Sequence, residues 1–157
     1  MTGVRVAFVD TYVLRGAEAA AQLEVLVLRR APRETRAASW ETVHGTIEAG
    51  ETPVQASLRE LREETGFVPA RLYNVSRVEA FYQHRSDEIV LIPVFAAFVA
   101  AREAPQLSHE HDQAAWLAPA AAAARFSWPR ERRALEDILA LFVKGDGGLL
   151  DDVLRVC

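Results

Sequence analysis

Three glutamates, Glu60, Glu63 and Glu64, have the spacing most typical of chemistry in this 157-residue chain. At 3.6 residues per turn, positions i, i+3 and i+4 lie on one face of a helix. Like charges at this spacing repel each other unless a cation neutralises them. Carboxylate oxygens are hard ligands that suit Mg²⁺ or Mn²⁺. The spacing therefore predicts a divalent-cation site, and the alternative is a solvated acidic face paired with Arg59 and Arg62.

The element that must position these glutamates is a predicted helix from Pro53 to about Thr65. Thr52 is suited to cap its N-terminus, and Gln55 completes a capping box. The small residues Ala56 and Ser57 flank the acidic face and are expected to leave room for a ligand. A separate stripe, roughly opposite the acidic face, is predicted to pack on a sheet: Val54, Leu58, Leu61 and Thr65.

The turn before this helix makes the prediction much more specific. The segment matches the pattern G-x5-E-x7-R-E-U-x-E-E-x-G-U, where U is apolar, through Gly45, Glu51, Arg59, Glu60, Leu61, Glu63, Glu64, Gly66 and Phe67. A chance match in a chain of this length has a probability on the order of one in ten million. A P-loop has the same glycine spacing as Gly45 and Gly50, but Glu51 stands where that loop needs a lysine. The segment resembles the box of the MutT/Nudix family of Mg²⁺-dependent pyrophosphohydrolases.

The resemblance implies roles for the matched residues. The implied ligands of Mg²⁺ or Mn²⁺ are Glu60, Glu63, Glu64, the main-chain carbonyl of Gly45 and, as a further candidate, Glu51. Glu51 and Arg59 are also implied to form an ion pair that fixes the turn against the helix. The candidate catalytic residues within the box are Glu60, Glu63 and Arg59.

A further catalytic carboxylate is expected from outside the box, because a general base must be free to accept a proton. Glu110 is the candidate, since its segment resembles the E-H-x-x-x-x-W-L stretch of several family branches. Asp112, Asp87 and Glu88 are the alternatives. The neighbouring His109 and His111 are interpreted as polar surface residues rather than as a metal site with Glu110.

Two aromatic residues are candidates for substrate binding. Trp40 precedes the box by five residues and could stack on a base, with packing in the core or at its rim as the alternative. Phe81 and Tyr82 alternate across a strand, so at most one of them faces a pocket. Tyr82 is the candidate of this pair.

Composition indicates one α+β domain spanning residues 1–157. Half of the residues are apolar and a quarter are charged, and the net charge of −4 argues against a nucleic-acid polymer as partner. Cys157 is the only cysteine, and no signal peptide or membrane span is recognised. A cytoplasmic protein is expected, without membrane association and with a small-molecule partner. A homodimer is left open.

The apolar patterns predict six strands and three helices, and the family resemblance implies that they form an αβα sandwich with a mixed β-sheet. The predicted strands are Val4–Leu14, Leu23–Leu28, Trp40–Val43, Arg71–His84, Ile89–Ala100 and Gln113–Leu117. Two helices are predicted besides the one that carries the glutamates, Pro119–Ala124 and Arg130–Val143.

The resemblance implies hydrolysis of a nucleoside diphosphate linked to a further group X. Three segments, Trp40–Thr52, Glu110–Ala123 and Ser127–Ala134, carry a weaker resemblance to the family's dATP pyrophosphohydrolase and dihydroneopterin triphosphate pyrophosphatase branch. A nucleoside or pterin triphosphate is therefore the expected substrate. The alternatives are a dinucleoside polyphosphate hydrolase and a non-catalytic nucleotide-sensing module.

Overall fold

The computed structural model describes residues 1–16, 23–33, 37–100, 104–142 and 147–157. The strands are β1 (Gly3–Val6), β2 (Phe8–Arg15), β3 (Glu24–Arg30), β4 (Ser39–Glu41), β5 (Val43–Thr46), β6 (Arg71–Gln83), β7 (Glu88–Phe98) and β8 (His111–Leu117). The helices are α1 (Pro53–Thr65), α2 (Pro119–Arg125), α3 (Pro129–Leu141) and α4 (Asp151–Leu154). The predicted end of the last helix, Val143, lies outside the described residues.

The sheet is mixed and forks at β2. Strand β7 is antiparallel to β6 on one side and parallel to β1 and β2 on the other. The first half of β2 pairs with β5, whereas its last two residues pair with β3. Strand β3 then pairs with β4 and β8. The fork leaves β5 paired only along β2 in the described part of the chain.

Two predicted strands are each divided in the structure. The register against β7 shifts by one residue between Val6, opposite Leu91, and Asp10, opposite Val94, so the first strand breaks at Ala7. The predicted Trp40–Val43 strand breaks at Thr42. The N–H of Thr42 donates to Glu131 Oε1 at 2.9 Å, and its hydroxyl donates to the Thr11 carbonyl at 2.7 Å.

Helices cover both faces of the sheet. Helix α1 packs on one face through Ala56 and Leu61, against strand residues that include Val9, Val13 and Val43. Helices α2, α3 and α4 cover the other face through Ala122, Phe126, Ala134, Leu135, Ile138 and Leu154. The predicted αβα sandwich with a mixed sheet is confirmed. No helix in the described ranges is long and apolar enough to cross a membrane.

Candidate active site

Helix α1 has the predicted limits because both of its ends are capped. The Gln55 N–H donates to Thr52 Oγ1 at 3.2 Å, and the Thr52 N–H donates to Gln55 Oε1 at 2.9 Å. Gly66 follows the helix with φ of 76°, a left-handed conformation in which glycine carries no side-chain penalty. Capping at both ends fixes which residues of the helix face the sheet.

The buried face of α1 differs from the expectation in one respect. Ala56 and Ser57 do not flank an open acidic face, since both are fully buried against the sheet. The Ser57 and Thr11 hydroxyls lie 2.7 Å apart. These small residues bring the helix close to the strands, and Glu64, about two turns further along, lies on the same buried side. The side chain of Glu64 is only 5% exposed, whereas that of Glu63 is 59% exposed.

Gly45 provides the contact between β5 and the acidic helix. A Cβ atom placed on Gly45 would lie 1.9 Å from Glu60 Cδ, far inside van der Waals contact. The glycine of the box is therefore required so that the Glu60 carboxylate can lie against the backbone of β5.

Arg59 ties the turn to the helix through several carboxylates. Its guanidinium donates to both oxygens of Glu51 at 2.9 Å, to Glu60 Oε1 at 2.8 Å and to Glu63 Oε2 at 3.2 Å. It also donates to the Thr46 carbonyl at 2.8 Å. Hydrogen bonds from Arg59 and from the backbone of Glu48 lower the pKa of Glu51 to about 2. Both oxygens of Glu51 are thus engaged in holding the turn.

We expect Arg59→Ala to reduce both stability and activity, because it leaves three carboxylates without their shared cation. Charge-assisted hydrogen bonds of this kind stabilise a fold by about 1.5–3 kcal/mol, which corresponds to a Tm lower by at least about 3 °C. Thermal unfolding and kcat/KM measure the two effects. Arg62→Ala is the matched control, because Arg62 is exposed on the same helix. Equally small effects of the two substitutions would contradict this role of Arg59.

A network of polar side chains connects the box to strands β3, β4 and β8. Arg30 donates from Nε to Glu41 Oε1 at 2.7 Å and from Nη1 to Glu110 Oε2 at 3.0 Å. His111 Nε2 lies 3.3 Å from Glu41 Oε1, and His111 Nδ1 lies 3.9 Å from Glu64 Oε2. The network connects Glu110 to Glu64, and the charge of Glu110 acts on Glu60 and Glu64.

The electrostatics of this network are dominated by burial. Burial, together with the charges of Glu60, Glu41 and Glu110, raises the pKa of Glu64 to about 9. Burial also raises the pKa of Glu60, although Arg59 opposes the shift. Two buried atoms of this network, Glu64 Oε2 and His111 Nδ1, have no hydrogen-bond partner among the described residues. A carboxylate oxygen without a donor among other carboxylates fits a divalent cation.

Within the described ranges, the side chains as they stand form no ready cluster of three His, Cys, Asp or Glu ligands. Arg59 Nη1 contacts Glu60 and Glu63 together, so two of the predicted ligands share an arginine in this arrangement.

Several residues of the site were not predicted from the sequence. Arg30 and Glu41 lie in short strands far from the box, and His111 is 4% exposed, so its interpretation as a surface residue was wrong. The sequence signal available for these residues was the change from apolar to charged residues at the ends of β3 (EVLVLRR) and β4 (SWE). It does not identify which strands are neighbours.

The alternatives to Glu110 lie elsewhere. Asp112 is bonded to Arg29 at 2.7 and 2.6 Å. Asp87 and Glu88 lie at the β6–β7 hairpin, where Thr2 Oγ1 donates to Asp87 Oδ1 at 3.0 Å and Arg5 Nε donates to Glu88 Oε2 at 3.1 Å. Of the four candidates, Glu110 is the one whose described contacts connect it to the network around Glu64.

The two aromatic candidates also lie away from the box glutamates. Trp40 projects to the opposite side of β4 from Glu41 and packs against the core beneath α2 and α3, with the Arg125 guanidinium 4.8 Å from its ring. Tyr82 is 55% exposed near the β6–β7 hairpin, where its hydroxyl donates to Asp87 Oδ1 at 2.9 Å.

Comparison with known proteins identifies the family. A sequence profile of the NUDIX domain matches residues 7–138. The structure of a NUDIX hydrolase from Listeria monocytogenes superposes with a TM-score of 0.73 at 19% identity, covering 98% of this chain and 100% of that one. The E. coli dihydroneopterin triphosphate pyrophosphohydrolase superposes with a TM-score of 0.65 at 25% identity, covering 87% of this chain and 99% of that one.

An octanoyltransferase from Myxococcus xanthus is 36% identical over 104 residues, which are 66% of this chain. The match spans only 28% of that relative's length, so most of the octanoyltransferase has no counterpart in this chain. The profile match covers most of the present chain and agrees with the fold and with the box. The chain therefore belongs to the NUDIX family, as the sequence predicted.

Proposed function

We propose that the chain is a metal-dependent pyrophosphohydrolase that cleaves a phosphoanhydride bond in a nucleoside or pterin triphosphate. The observation that carries the proposal is that Arg30, Glu41 and His111 connect Glu110 to Glu64 of α1, whose Oε2 has no donor in the described part of the chain. The similarity to the E. coli dihydroneopterin triphosphate pyrophosphohydrolase supports a triphosphate as substrate.

The proposed cation ligands are Glu60, Glu63, Glu64 and the main-chain carbonyl of Gly45. A bound Mg²⁺ or Mn²⁺ would neutralise diphosphate charge and lower the pKa of an attacking water. Glu51 is less suited to ligate, because Arg59 and the Glu48 N–H already occupy its oxygens. Arg59 acts as a positioning residue for Glu60 and Glu63.

Glu110 is proposed to accept the proton of the attacking water. Among the described residues its carboxylate accepts a single hydrogen bond, from Arg30 to Oε2, and its side chain is 37% exposed, so the other oxygen remains accessible. This differs from Glu64, which is buried among the strands. In this proposal the glutamates of α1 bind the cation, and Glu110, in the turn before β8, accepts the proton.

The test is a hydrolysis panel of nucleoside triphosphates, dihydroneopterin triphosphate and dinucleoside polyphosphates, each with Mg²⁺, with Mn²⁺ and with EDTA. Products are identified by mass. We expect turnover of a triphosphate to a monophosphate and pyrophosphate, and its loss in EDTA. If only the dinucleoside polyphosphates are hydrolysed, the chain is instead a dinucleoside polyphosphate hydrolase. Tight binding of one ligand without turnover of any would instead show a sensing module.

A further inference from the structure

A second polar group lies on the sheet face opposite α1, one residue before Gly45. His44 Nδ1 lies 2.6 Å from Asp10 Oδ1, and Arg130 Nε donates to Asp10 Oδ2 at 3.3 Å. Asp10 is fully buried, whereas His44 and Arg130 are each 23% exposed at the side chain. The buried carboxylate therefore holds two side chains from separate elements, β5 and α3, with parts of both facing outwards.

Aromatic rings extend this group in both directions. The Phe8 ring lies 5.1 Å from the His44 ring, and the Phe81 ring is stacked on Phe8 at 6.4 Å. On the other side, the Arg130 guanidinium lies 5.6 Å from the Trp128 ring. We call this set, Phe81, Phe8, His44, Arg130 and Trp128, the aromatic band. Its two ends are open to solvent, since Phe81 is 41% and Trp128 is 49% exposed.

Single exposed aromatic residues are common on protein surfaces and need no explanation. The aromatic band differs because its two central members, His44 and Arg130, are held in place by the buried carboxylate of Asp10, and the rings of Phe8 and Trp128 lie against them. Aromatic side chains and arginine guanidinium planes are the groups on which nucleobases stack, and stacking tolerates many rings because each ring has a π-face. The set of side chains therefore matches a planar heteroaromatic ligand rather than an aliphatic one.

We propose that the aromatic band binds the planar heteroaromatic ring of the substrate, a nucleobase or pterin, and that His44 determines which ring is preferred. This rests on the proposed function. The one described contact of His44 Nδ1 is with Asp10, which leaves Nε2 as the ring nitrogen available for the edge of a ligand. Asp10 is a positioning residue, because it holds His44 and Arg130 without facing solvent itself.

The position of the aromatic band relative to the box supports this assignment. His44 and Gly45 are consecutive, and consecutive Cα atoms lie about 3.8 Å apart. Their side-chain directions point to opposite faces of β5, whose described pairing is along one edge only, with β2. A ligand that passes round the other edge can place its diphosphate at the box and its ring on the aromatic band.

The test uses isothermal titration calorimetry of the full chain with Mg²⁺, with dAMP, dGMP and neopterin as ring-bearing probes and inorganic pyrophosphate as the ring-free probe. We expect Phe81→Ala and Trp128→Ala each to raise the Kd of the ring-bearing probes by about 10-fold or more. The Kd of pyrophosphate should stay unchanged. His44→Ala should change the ratio of the Kd values for dAMP and dGMP by about 10-fold, since a lost hydrogen bond acts on only one ring edge.

Two exposed residues outside the aromatic band serve as matched controls. Val78 projects from the opposite face of β6 to Phe81, and Arg133 is exposed on α3, as Trp128 is at its N-terminus. Val78→Ala and Arg133→Ala should leave every Kd unchanged, and thermal unfolding should show that all variants are folded.

The proposal is overturned if the folded Phe81 and Trp128 variants bind the ring-bearing probes as the wild type does, or if the wild type binds none of them. Equal loss of pyrophosphate binding would also overturn it, because the effect would then not concern the ring. Failure of the proposed function shows itself separately, as absence of product in the hydrolysis panel, and calorimetry still tests the ring site in that case.

Discussion

Replacing Glu64 with glutamine is expected to lower kcat by at least about 10²-fold while the protein remains folded. Glu64 lies buried beneath α1, and its Oε2 atom has no hydrogen-bond partner in the described part of the chain. A neutral amide preserves the shape of the side chain but removes a charged ligand for the cation. Glu63→Gln should give a loss of similar size, although Glu63 lies at the exposed side of the same helix.

The Glu64 variant also has an expected signature in stability. Without metal, Glu64→Gln should unfold at a temperature no lower than the wild type. The raised pKa of Glu64, about 9, keeps its carboxyl neutral in the folded state at pH 7, whereas the unfolded chain gains its ionisation, and an amide has no such cost. Added Mg²⁺ should raise the Tm of the wild type through binding to the folded state and should raise that of the variant much less.

Glu136→Gln, an exposed substitution on α3, is the control for both readouts of the Glu64 variant. Near-normal turnover of Glu63→Gln and Glu64→Gln at saturating Mg²⁺ would remove the box as the active site.

The parts of the site that the sequence predicted are those whose interactions are local. Thr52 and Gln55 of the capping box are three residues apart in the sequence, and Glu51 and Arg59 of the ion pair are eight residues apart. Helical periodicity also placed Glu60, Glu63 and Glu64 on neighbouring positions. It did not show how far round the helix the sheet extends, so the burial of Glu64 was not anticipated.

The parts that the sequence did not predict depend on strand pairing over long separations. Arg30 meets Glu110 across 80 residues, and His111 meets Glu41 across 70. Such contacts exist because β3 pairs with both β4 and β8, and strand order is not contained in the pattern of any one strand. The same reason applies to Trp40, whose direction follows from the pairing of β4.

Glu110→Gln is expected to reduce kcat by at least about 10²-fold with little change in KM, because removal of a general base typically costs about 10² to 10⁴ in rate. The substrate would still be held by the cation and by its ring. Glu110 lies close enough to the box to act on it electrostatically, since its charge contributes to raising the pKa of both Glu60 and Glu64.

The measurement must separate proton transfer from cation binding. Rates are therefore compared at saturating Mg²⁺, and the Mg²⁺ concentration for half-maximal rate is determined for each variant. A base role leaves that concentration unchanged while kcat falls, whereas a ligand role raises it and allows kcat to recover. Thermal unfolding measures how much stability is lost with the ion pair between Glu110 and Arg30. This loss should be small, because the Glu110 side chain is partly exposed.

Asp87→Asn and Glu88→Gln are the matched carboxylate controls, and both should be mild. Glu88 is bonded to Arg5 and Asp87 to Thr2 at the β6–β7 hairpin, so neither is in the network that reaches Glu64. If Glu110→Gln retained full kcat, the base would have to be a box residue, and Glu60 would be the next candidate. Its carboxylate lies against Gly45, and burial raises its pKa, which makes the ionised carboxylate of Glu60 a stronger proton acceptor.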